Sequence, residues 1–93
     1  MIKHFKSKVT WRLFNREQVP TLSLSVQRSG LRKLMMLNAA RDLIDLRSPP
    51  ANCLEKLQGD YLGKHSIRIN LQWRVVFRWE DGNAYEVEIV DYH

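Results

Sequence analysis

The clearest pattern in the chain is an alternation of apolar and polar residues over its second half. Apolar or aromatic side chains occupy alternate positions there, and the positions between them are mostly polar. The members of the apolar set are Ile67, Ile69, Trp73, Val75, Phe77, Trp79, Tyr85, Val87 and Ile89. A period of two predicts antiparallel β-strands that place one face on a core and leave the other face in water.

A turn is expected at Asp81-Gly82-Asn83, between the last two predicted strands. A two-residue loop at Asp81-Gly82 would set the inward Phe77 opposite the outward Glu86, which a half-buried sheet does not tolerate. A three-residue loop centred on Gly82 avoids this mismatch. The pairs that follow are Trp79–Tyr85, Phe77–Val87 and Val75–Ile89 on the core side, and Arg78–Glu86 and Arg74–Val90 on the outer side.

The first half of the chain has apolar residues at helical spacing instead. Residues 2–5 alternate briefly and predict a short first strand. Ser7 can cap a helix that follows it, and the apolar positions from about 23 to 40 predict a second helix. Pro49 and Pro50 then end regular structure. Two helices followed by strands predict an α+β fold, in which both helices pack on one face of a small antiparallel sheet.

Length and composition limit the class of protein. The 93 residues suit one domain spanning residues 1–93, and 44% apolar with 27% charged residues is an ordinary globular balance. Cys53 is the single cysteine, which excludes an internal disulfide and fits a reducing cytoplasm. No apolar run has the length that secretion or membrane spanning needs, so we expect a soluble cytoplasmic protein without a membrane partner.

The charge favours a polyanionic partner. Fifteen Lys and Arg against ten Asp and Glu give a net charge of +5, which suits nucleic acid, although a basic protein without such a partner is also compatible. The outer face of the predicted sheet carries Arg68, Arg74 and Arg78, with Tyr92 diagonally beside Arg74. Arginine binds phosphate and an aromatic ring stacks on an unpaired base, so this face suits single-stranded RNA. The alternative is a solvated face on which Arg78 pairs with Glu86.

Three residues with acid–base or stacking chemistry, Asp91, Tyr92 and His93, end the sequence. Cleavage of RNA through its own 2′-hydroxyl needs a base for that hydroxyl, an acid for the departing 5′-oxygen and a cation for the charge that develops on the phosphate. These groups lie near Arg74 in the predicted sheet. The alternative is a frayed tail without a catalytic role. The sequence has no metal-ligand spacing, nucleophile elbow or phosphate-binding glycine loop, so we expect neither a metal nor a cofactor.

Four stretches of the second half together resemble a known family. They are LEKLQGD at 54–60, SIRIN at 66–70, QWRVVFRW at 72–79 and VEIVDYH at 87–93. In this order they resemble the HigB group of RelE-like toxins, and the resemblance is close from residue 49 to residue 93. It implies the compact α+β fold of those toxins, in which the sheet forms the RNA-facing concavity.

The resemblance also implies an activity and partners. It implies a metal-independent mRNA interferase that cuts messenger RNA on the ribosome. Its partner would be a helix-turn-helix antitoxin of the HigA type, through which alone the toxin contacts operator DNA. Carried over by position, Arg68 and Arg74 bind and stabilise the scissile phosphate. By the same resemblance, Asp91, Tyr92 and His93 supply stacking and proton transfer.

Two positions depart from the family pattern. Some relatives have a histidine at the position of Glu55 and a lysine at that of Gln58, and both are implicated in their active sites. The general base is therefore open among Glu55, Asp91 and His93. The alternative to an enzyme is a non-catalytic module, either a basic RNA-binding domain or a silent toxin homologue that acts as a co-repressor with its antitoxin.

Two further cations, Lys56 and Arg78, are candidate RNA contacts. Lys56 is a candidate to replace the positive charge that the family has at the position of Gln58. If residues 54–58 form a strand, however, the side chain of Lys56 points to the opposite face from that of Glu55.

Overall fold

The computed structural model describes residues 1–92, and His93 lies outside them. The described chain contains two helices, α1 (Lys8–Phe14) and α2 (Leu24–Ala39), which precede the sheet. Its strands are β1 (Glu55–Lys56), β2 (His65–Arg68), β3 (Trp73–Glu80) and β4 (Asn83–Asp91), with short 3-10 turns at Leu43–Arg47, Pro50–Asn52 and Gly59–Tyr61. The strands are antiparallel in the order β1-β2-β3-β4. The predicted α+β fold is confirmed.

Serine side chains cap the start of both helices. Ser7 Oγ accepts a hydrogen bond from the backbone N–H of Thr10, and Ser23 Oγ accepts one from that of Val26, both at 3.2 Å. These bonds satisfy N–H groups that have no partner in the first helical turn. The predicted cap at Ser7 is confirmed, and α2 lies within the segment that the periodicity indicated.

The core lies between the two helices and one face of the sheet. Its fully or almost fully buried members include Leu13, Leu34, Leu37, Ile67, Val75, Phe77 and Val87. Burial of a side chain of this size contributes about 1.5–3 kcal/mol to folding. Gly30 lets α2 approach α1 and β4 closely, because a Cβ there would lie only 3.2 Å from the side chain of Leu13 and 3.3 Å from that of Ile89.

The N-terminal segment extends the sheet beyond β4. Ile2 and Phe5 form parallel bridges with Ala84 and Val87 of β4. The backbone N–H of Lys3 donates to the carbonyl of Ala84 at 2.8 Å. The predicted first strand is therefore present as an extended segment with isolated bridges.

The outer face of the sheet, which points away from the helices, is only partly open. Ser66 and Val76 oppose each other on this face, yet both are fully buried, and Leu57 is 1% exposed. The residues after β1 fold back over the face, where Tyr61 lies with its ring 6.1 Å from that of Tyr92. The expectation of an open face is wrong at its centre, because this segment covers it.

The turn between β3 and β4 is tighter than predicted. Glu80 pairs with Asn83, so the loop contains only Asp81 and Gly82, with φ angles of 49° and 78°. Positive φ at both central residues is typical of a type I′ turn, whose twist matches that of the paired strands. The predicted three-residue loop is therefore wrong.

A bulge in β4 removes the mismatch that argued against the short loop. Val76 pairs with Glu88 whereas Arg78 pairs with Tyr85, so β4 contains one extra residue at this point. Glu86 has a φ of 52° there, the left-handed conformation that one common type of bulge requires of its first residue. The parity of β4 is thus corrected within the strand rather than in the loop.

The register predictions hold on one side of the bulge and fail on the other. The confirmed pairs are Val75–Ile89 and Arg74–Val90. The pairs that are wrong are Trp79–Tyr85 and Arg78–Glu86, and the pair that falls at the irregularity is Phe77–Val87. Arg78 pairs with Tyr85. Trp79 pairs with Ala84 instead. Tyr85 consequently lies on the outer face, where its ring centre is 4.7 Å from the guanidinium carbon of Arg78.

Candidate active site and nucleic-acid interface

Two arginines of the predicted site lie side by side on the outer face. Arg68 of β2 and Arg74 of β3 are directly opposed in the antiparallel register. Arg74 in turn pairs with Val90, and its guanidinium carbon lies 5.7 Å from the ring centre of Tyr92. The structure therefore brings together Arg68, Arg74 and Tyr92, as strand parity predicted for Arg74 and Tyr92.

Arg74 is fixed by three partners. Its Nη1 donates to Ser66 Oγ at 2.8 Å and to the carbonyl oxygen of Cys53 at 3.3 Å, and its Nη2 lies 3.4 Å from Glu55 Oε2. The Arg74 side chain is 16% exposed and that of Glu55 is 47% exposed. Because arginine stays protonated at physiological pH, the result is a positioned cation with an accessible carboxylate beside it.

Arg68 is held more loosely. Its Nε donates to the carbonyl oxygen of Asn70 at 3.2 Å, and its Nη1 lies 3.9 Å from the sulfur of Cys53, which is a weak acceptor. Within residues 1–92, no carboxylate forms an ion pair with Arg68. Its terminal N–H groups are therefore freer than those of Arg74 to donate hydrogen bonds to a phosphate oxygen.

A second aromatic ring lies beside Tyr92. Tyr61 ends the 3-10 turn Gly59–Tyr61, and the two tyrosine rings are tilted by 49° at a separation of 6.1 Å. Sequence reasoning missed Tyr61, because it lies in a loop without periodicity, one residue beyond the LEKLQGD stretch. Tyr61 reaches the site only because its loop packs on the outer face, beside Tyr92.

The turn before β3 anchors the end of β4. Gln72 Nε2 donates to Asp91 Oδ2 at 3.0 Å, and the backbone N–H of Tyr92 donates to the carbonyl oxygen of Gln72 at 3.0 Å. Asp91 is exposed and pairs with Trp73 across the strands. Tyr92 is therefore held beside Arg74. Asp91 pairs with Trp73, whose side chain packs against the core, so strand alternation directs Asp91 to the opposite face from Arg74. The third residue of the predicted set, His93, lies outside the described residues.

Arg78 is separate from the Arg68–Arg74 pair and is already paired with carboxylates. It lies four residues along β3 from Arg74, about 13 Å away at the usual rise of a strand. Its Nε donates to Glu86 at 3.0 Å, and it also binds Glu80. These bonds raise the pKa of Arg78 above its ordinary value, and Arg78, followed by Lys64, lowers the pKa of Glu86. The predicted ion pair of Arg78 with Glu86 is confirmed, although the residue of β4 directly opposite Arg78 is Tyr85.

Lys56 lies on the helix side of the sheet. It pairs with His65 of β2, and both residues line a cavity of about 360 Å³ with Leu43 and Leu54. Burial, and then the nearby Lys56, lower the pKa of His65. Neighbouring strand residues point to opposite faces, so Lys56 is on the other side of the sheet from Glu55 and does not join the arginine pair.

Two further findings concern metals and membranes. Among residues 1–92, no group of three or more His, Cys, Asp or Glu side chains is arranged to hold a metal ion. No helix in the same range has the length and apolar character needed to cross a membrane.

The comparison with solved structures defines the class of fold. A chain of the YoeB-YefM complex from Staphylococcus aureus matches this chain with a TM-score of 0.57, at 17% sequence identity, over 100% of this chain and 98% of that chain. A second structure of a heterotetrameric YoeB-YefM toxin-antitoxin complex from the same organism gives a TM-score of 0.55 at 18% identity. These matches show that the chain shares its α+β fold with a chain of each of these complexes.

The sequence comparisons assign the family. The model for HigB-like toxins, described as the RelE-like toxin of type II toxin-antitoxin system HigB, matches residues 3–93. Toxin HigB-1 of Vibrio cholerae is 47% identical over 60 residues, which span 64% of this chain and 63% of that toxin's length. Endoribonuclease HigB of Proteus vulgaris is 33% identical over the full length of both chains. The chain belongs to the HigB-like family of RelE-like toxins.

Proposed function

We propose that this protein is an endoribonuclease toxin that cuts messenger RNA on the ribosome. Family membership and the name of the Proteus vulgaris relative support the activity. In this proposal the toxin acts in the cytoplasm without a metal or cofactor. A helix-turn-helix antitoxin of the HigA type neutralises it, and it contacts operator DNA only through that antitoxin.

The observation that carries the proposal is the direct opposition of Arg68 and Arg74 on the outer face. Like charges at opposed positions destabilise a sheet, and such a local conflict is typical of a functional site. Glu55 offsets part of this charge, but Arg68 has no ion pair within the described residues. An RNA phosphate between the two guanidinium groups would relieve the repulsion.

The proposed reaction uses the RNA's own hydroxyl as the nucleophile. The 2′-oxygen attacks the neighbouring phosphorus, its proton passes to Glu55, and the bond to the 5′-oxygen breaks as that oxygen takes a proton from the imidazolium of His93. Arg68 and Arg74 stabilise the charge on the phosphoryl oxygens. The products are a 2′,3′-cyclic phosphate and a 5′-hydroxyl. No metal-bound water is needed, because the nucleophile belongs to the substrate.

Glu55 is the proposed base because of its position. Its carboxylate is 3.4 Å from Arg74, and nearly half of its side chain is exposed. A phosphate bound by Arg74 would bring the adjacent 2′-hydroxyl close to that carboxylate, as general-base catalysis requires. The rings of Tyr92 and Tyr61 would stack on flanking bases, with Arg78 as a more distant contact along β3.

Induction of the chain in growing cells tests the proposal. We expect growth arrest and new transcript ends by primer extension, and we expect Arg74→Ala or deletion of His93 to reduce cleavage at least about 100-fold. Arg41→Ala removes an exposed arginine whose backbone lies beside Gly82, at the opposite end of β3 from Arg74, and should leave both effects intact. If the wild-type chain neither arrests growth nor cuts mRNA, the proposal that this protein is an enzyme is wrong.

One observation favours the alternative of a silent homologue that serves as a co-repressor. Arg74 is already paired with Glu55, at a position where some relatives have a histidine. In that case the wild-type chain would bind the antitoxin and RNA without producing cleaved transcripts. The same primer-extension measurement separates the two functions.

A further inference from the structure

A groove between the end of α1 and the start of α2 is remote from the candidate active site. It has a volume of about 190 Å³, and its apolar lining contains Leu13, Leu24 and Leu31. Leu24 is 64% exposed, and Met35, one helical turn beyond Leu31, is 47% exposed. A row of exposed apolar side chains marks a surface that a partner can cover.

The spacing along α2 is suited to another helix. Leu24, Leu31 and Met35 are separated by seven and then four positions, so they share one face of α2, and Arg28 lies between them on that face. Arg16, from the end of α1, closes the other side of the groove, with its Nη2 3.6 Å from the sulfur of Met35. The result is an apolar stripe with a basic border.

Among the described residues, Glu17 is the one acidic residue that lines the groove, and it forms no ion pair with the basic border. Arg16, Arg28 and Arg32 are exposed, and none of them forms an ion pair within residues 1–92. Glu17 is the only acidic residue in the sequence from 1 to 41. Three arginines beside one glutamate leave an excess of positive charge that a partner would balance.

We propose that this groove binds an acidic amphipathic helix of the antitoxin. The proposal rests on the proposed function, which supplies the antitoxin. Apolar side chains of that helix would cover Leu24 and Leu31, and flanking Asp or Glu residues would pair with Arg16 and Arg28. RNA fits this groove less well, because the residues that line it in the described chain include no aromatic ring on which a base could stack.

The test uses the full-length, ¹⁵N-labelled chain and three probes. The first is a peptide of about eighteen residues, long enough to form a helix, with leucines at heptad spacing and glutamates elsewhere. The second has lysines in place of the glutamates, and the third is a single-stranded oligouridine. The acidic peptide should shift the amide resonances of residues 24–35 and bind at least about tenfold more tightly than the lysine peptide.

Two variants locate the contact. Leu24→Glu and Arg28→Glu should each weaken binding of the acidic peptide by about tenfold or more, whereas Lys8→Glu, which also reverses an exposed charge, should not. Both altered side chains are exposed, so the fold should survive. In cells, the Arg28→Glu toxin should arrest growth in the presence of the antitoxin that silences the wild type.

Equal binding of the two peptides, or groove shifts caused only by RNA, would overturn the proposal. The peptide measurement needs no catalysis, which separates it from the proposed activity. Loss of peptide binding with intact mRNA cleavage contradicts the groove alone. Absence of cleavage with intact peptide binding contradicts the endoribonuclease alone.

Discussion

The two halves of the chain differ in the sign of their charge. Residues 1–41 contain nine Lys and Arg and one Glu, whereas residues 42–93 contain six Lys and Arg and nine Asp and Glu. The formal charges are +8 and −3, which together give the +5 of the whole chain. The candidate active site lies in the acidic half, although the net charge of the whole chain first indicated a polyanionic ligand.

The difference shows that the sheet and the helices are distinguished by whether their arginines form ion pairs, more than by net charge. On the sheet, Arg74 and Arg78 are bound by glutamates that hold them in place. On the helices, Arg28 and Arg32 are exposed and have no ion pair among the described residues. Positioned arginines suit catalysis, which needs preorganised charge. Exposed arginines suit attraction of an acidic partner.

The largest expected effect comes from neutralising a carboxylate on the sheet. Glu55→Gln removes the proposed base and also releases Arg74, so cleavage should fall at least about 100-fold while RNA binding is kept or becomes tighter. Cleavage of a reporter mRNA in a translating extract and equilibrium binding of an RNA oligonucleotide measure the two effects. Glu80→Gln is the matched control. If Glu55→Gln cleaves RNA as fast as the wild type, Glu55 is not the general base, and Asp91 or His93 is the remaining candidate.

The next effect concerns stacking of RNA bases, and it compares an aromatic side chain beside the sheet with one on the helices. Tyr61→Ala should weaken binding of single-stranded RNA by about 5- to 150-fold, the usual loss of one stacked base, and Tyr61→Phe should retain it. Trp11→Ala, which removes a half-exposed ring from α1, is the control. If both alanine variants bind RNA equally well, Tyr61 is not part of the RNA surface.

Strand parity accounts for what the sequence could predict about the site. It placed Tyr92 beside Arg74 and Lys56 on the opposite face from Glu55, because side-chain direction alternates along any strand. It failed at Tyr85, because the bulge at Glu86 reverses the parity there, and glutamate is not a residue that signals a left-handed conformation. The helix cap at Ser7 was predictable because capping is local.

The remaining partners of Arg74 could not be predicted. Ser66 and the carbonyl oxygen of Cys53 reach it from eight and twenty-one positions away in the sequence. Tyr61 joins Tyr92 only through the path of a loop. Such contacts depend on how irregular segments fold back on the sheet, and neither periodicity nor turn chemistry specifies this.

A smaller effect concerns the salt dependence of RNA binding. Affinity should fall with added salt, and Arg68→Ala should reduce the slope of log K against log salt by about 0.7, the value for one phosphate contact on a single strand. Arg32→Ala changes an arginine of the helical half and should leave the slope unchanged. Titrations at several salt concentrations measure both. Salt-insensitive binding would mean that the arginine pair does not contact phosphate.

The smallest effect lies on the helix side of the sheet, where His65 shares a cavity with Lys56 and Arg47. Burial and Lys56 lower the pKa of His65 below its ordinary 6.5, so the unfolded chain binds the proton more readily than the folded one. The free energy of unfolding is therefore at its full value above about pH 6.5 and decreases as the pH falls through the folded pKa.

Urea midpoints at about pH 7.5 and about pH 5 should differ less for His65→Gln than for the wild type. His4→Gln, at an exposed histidine, should behave like the wild type. An unchanged difference in His65→Gln would place the pH dependence elsewhere, whereas a reduced one would show that burial on the helix side, together with Lys56, disfavours the protonated form of His65.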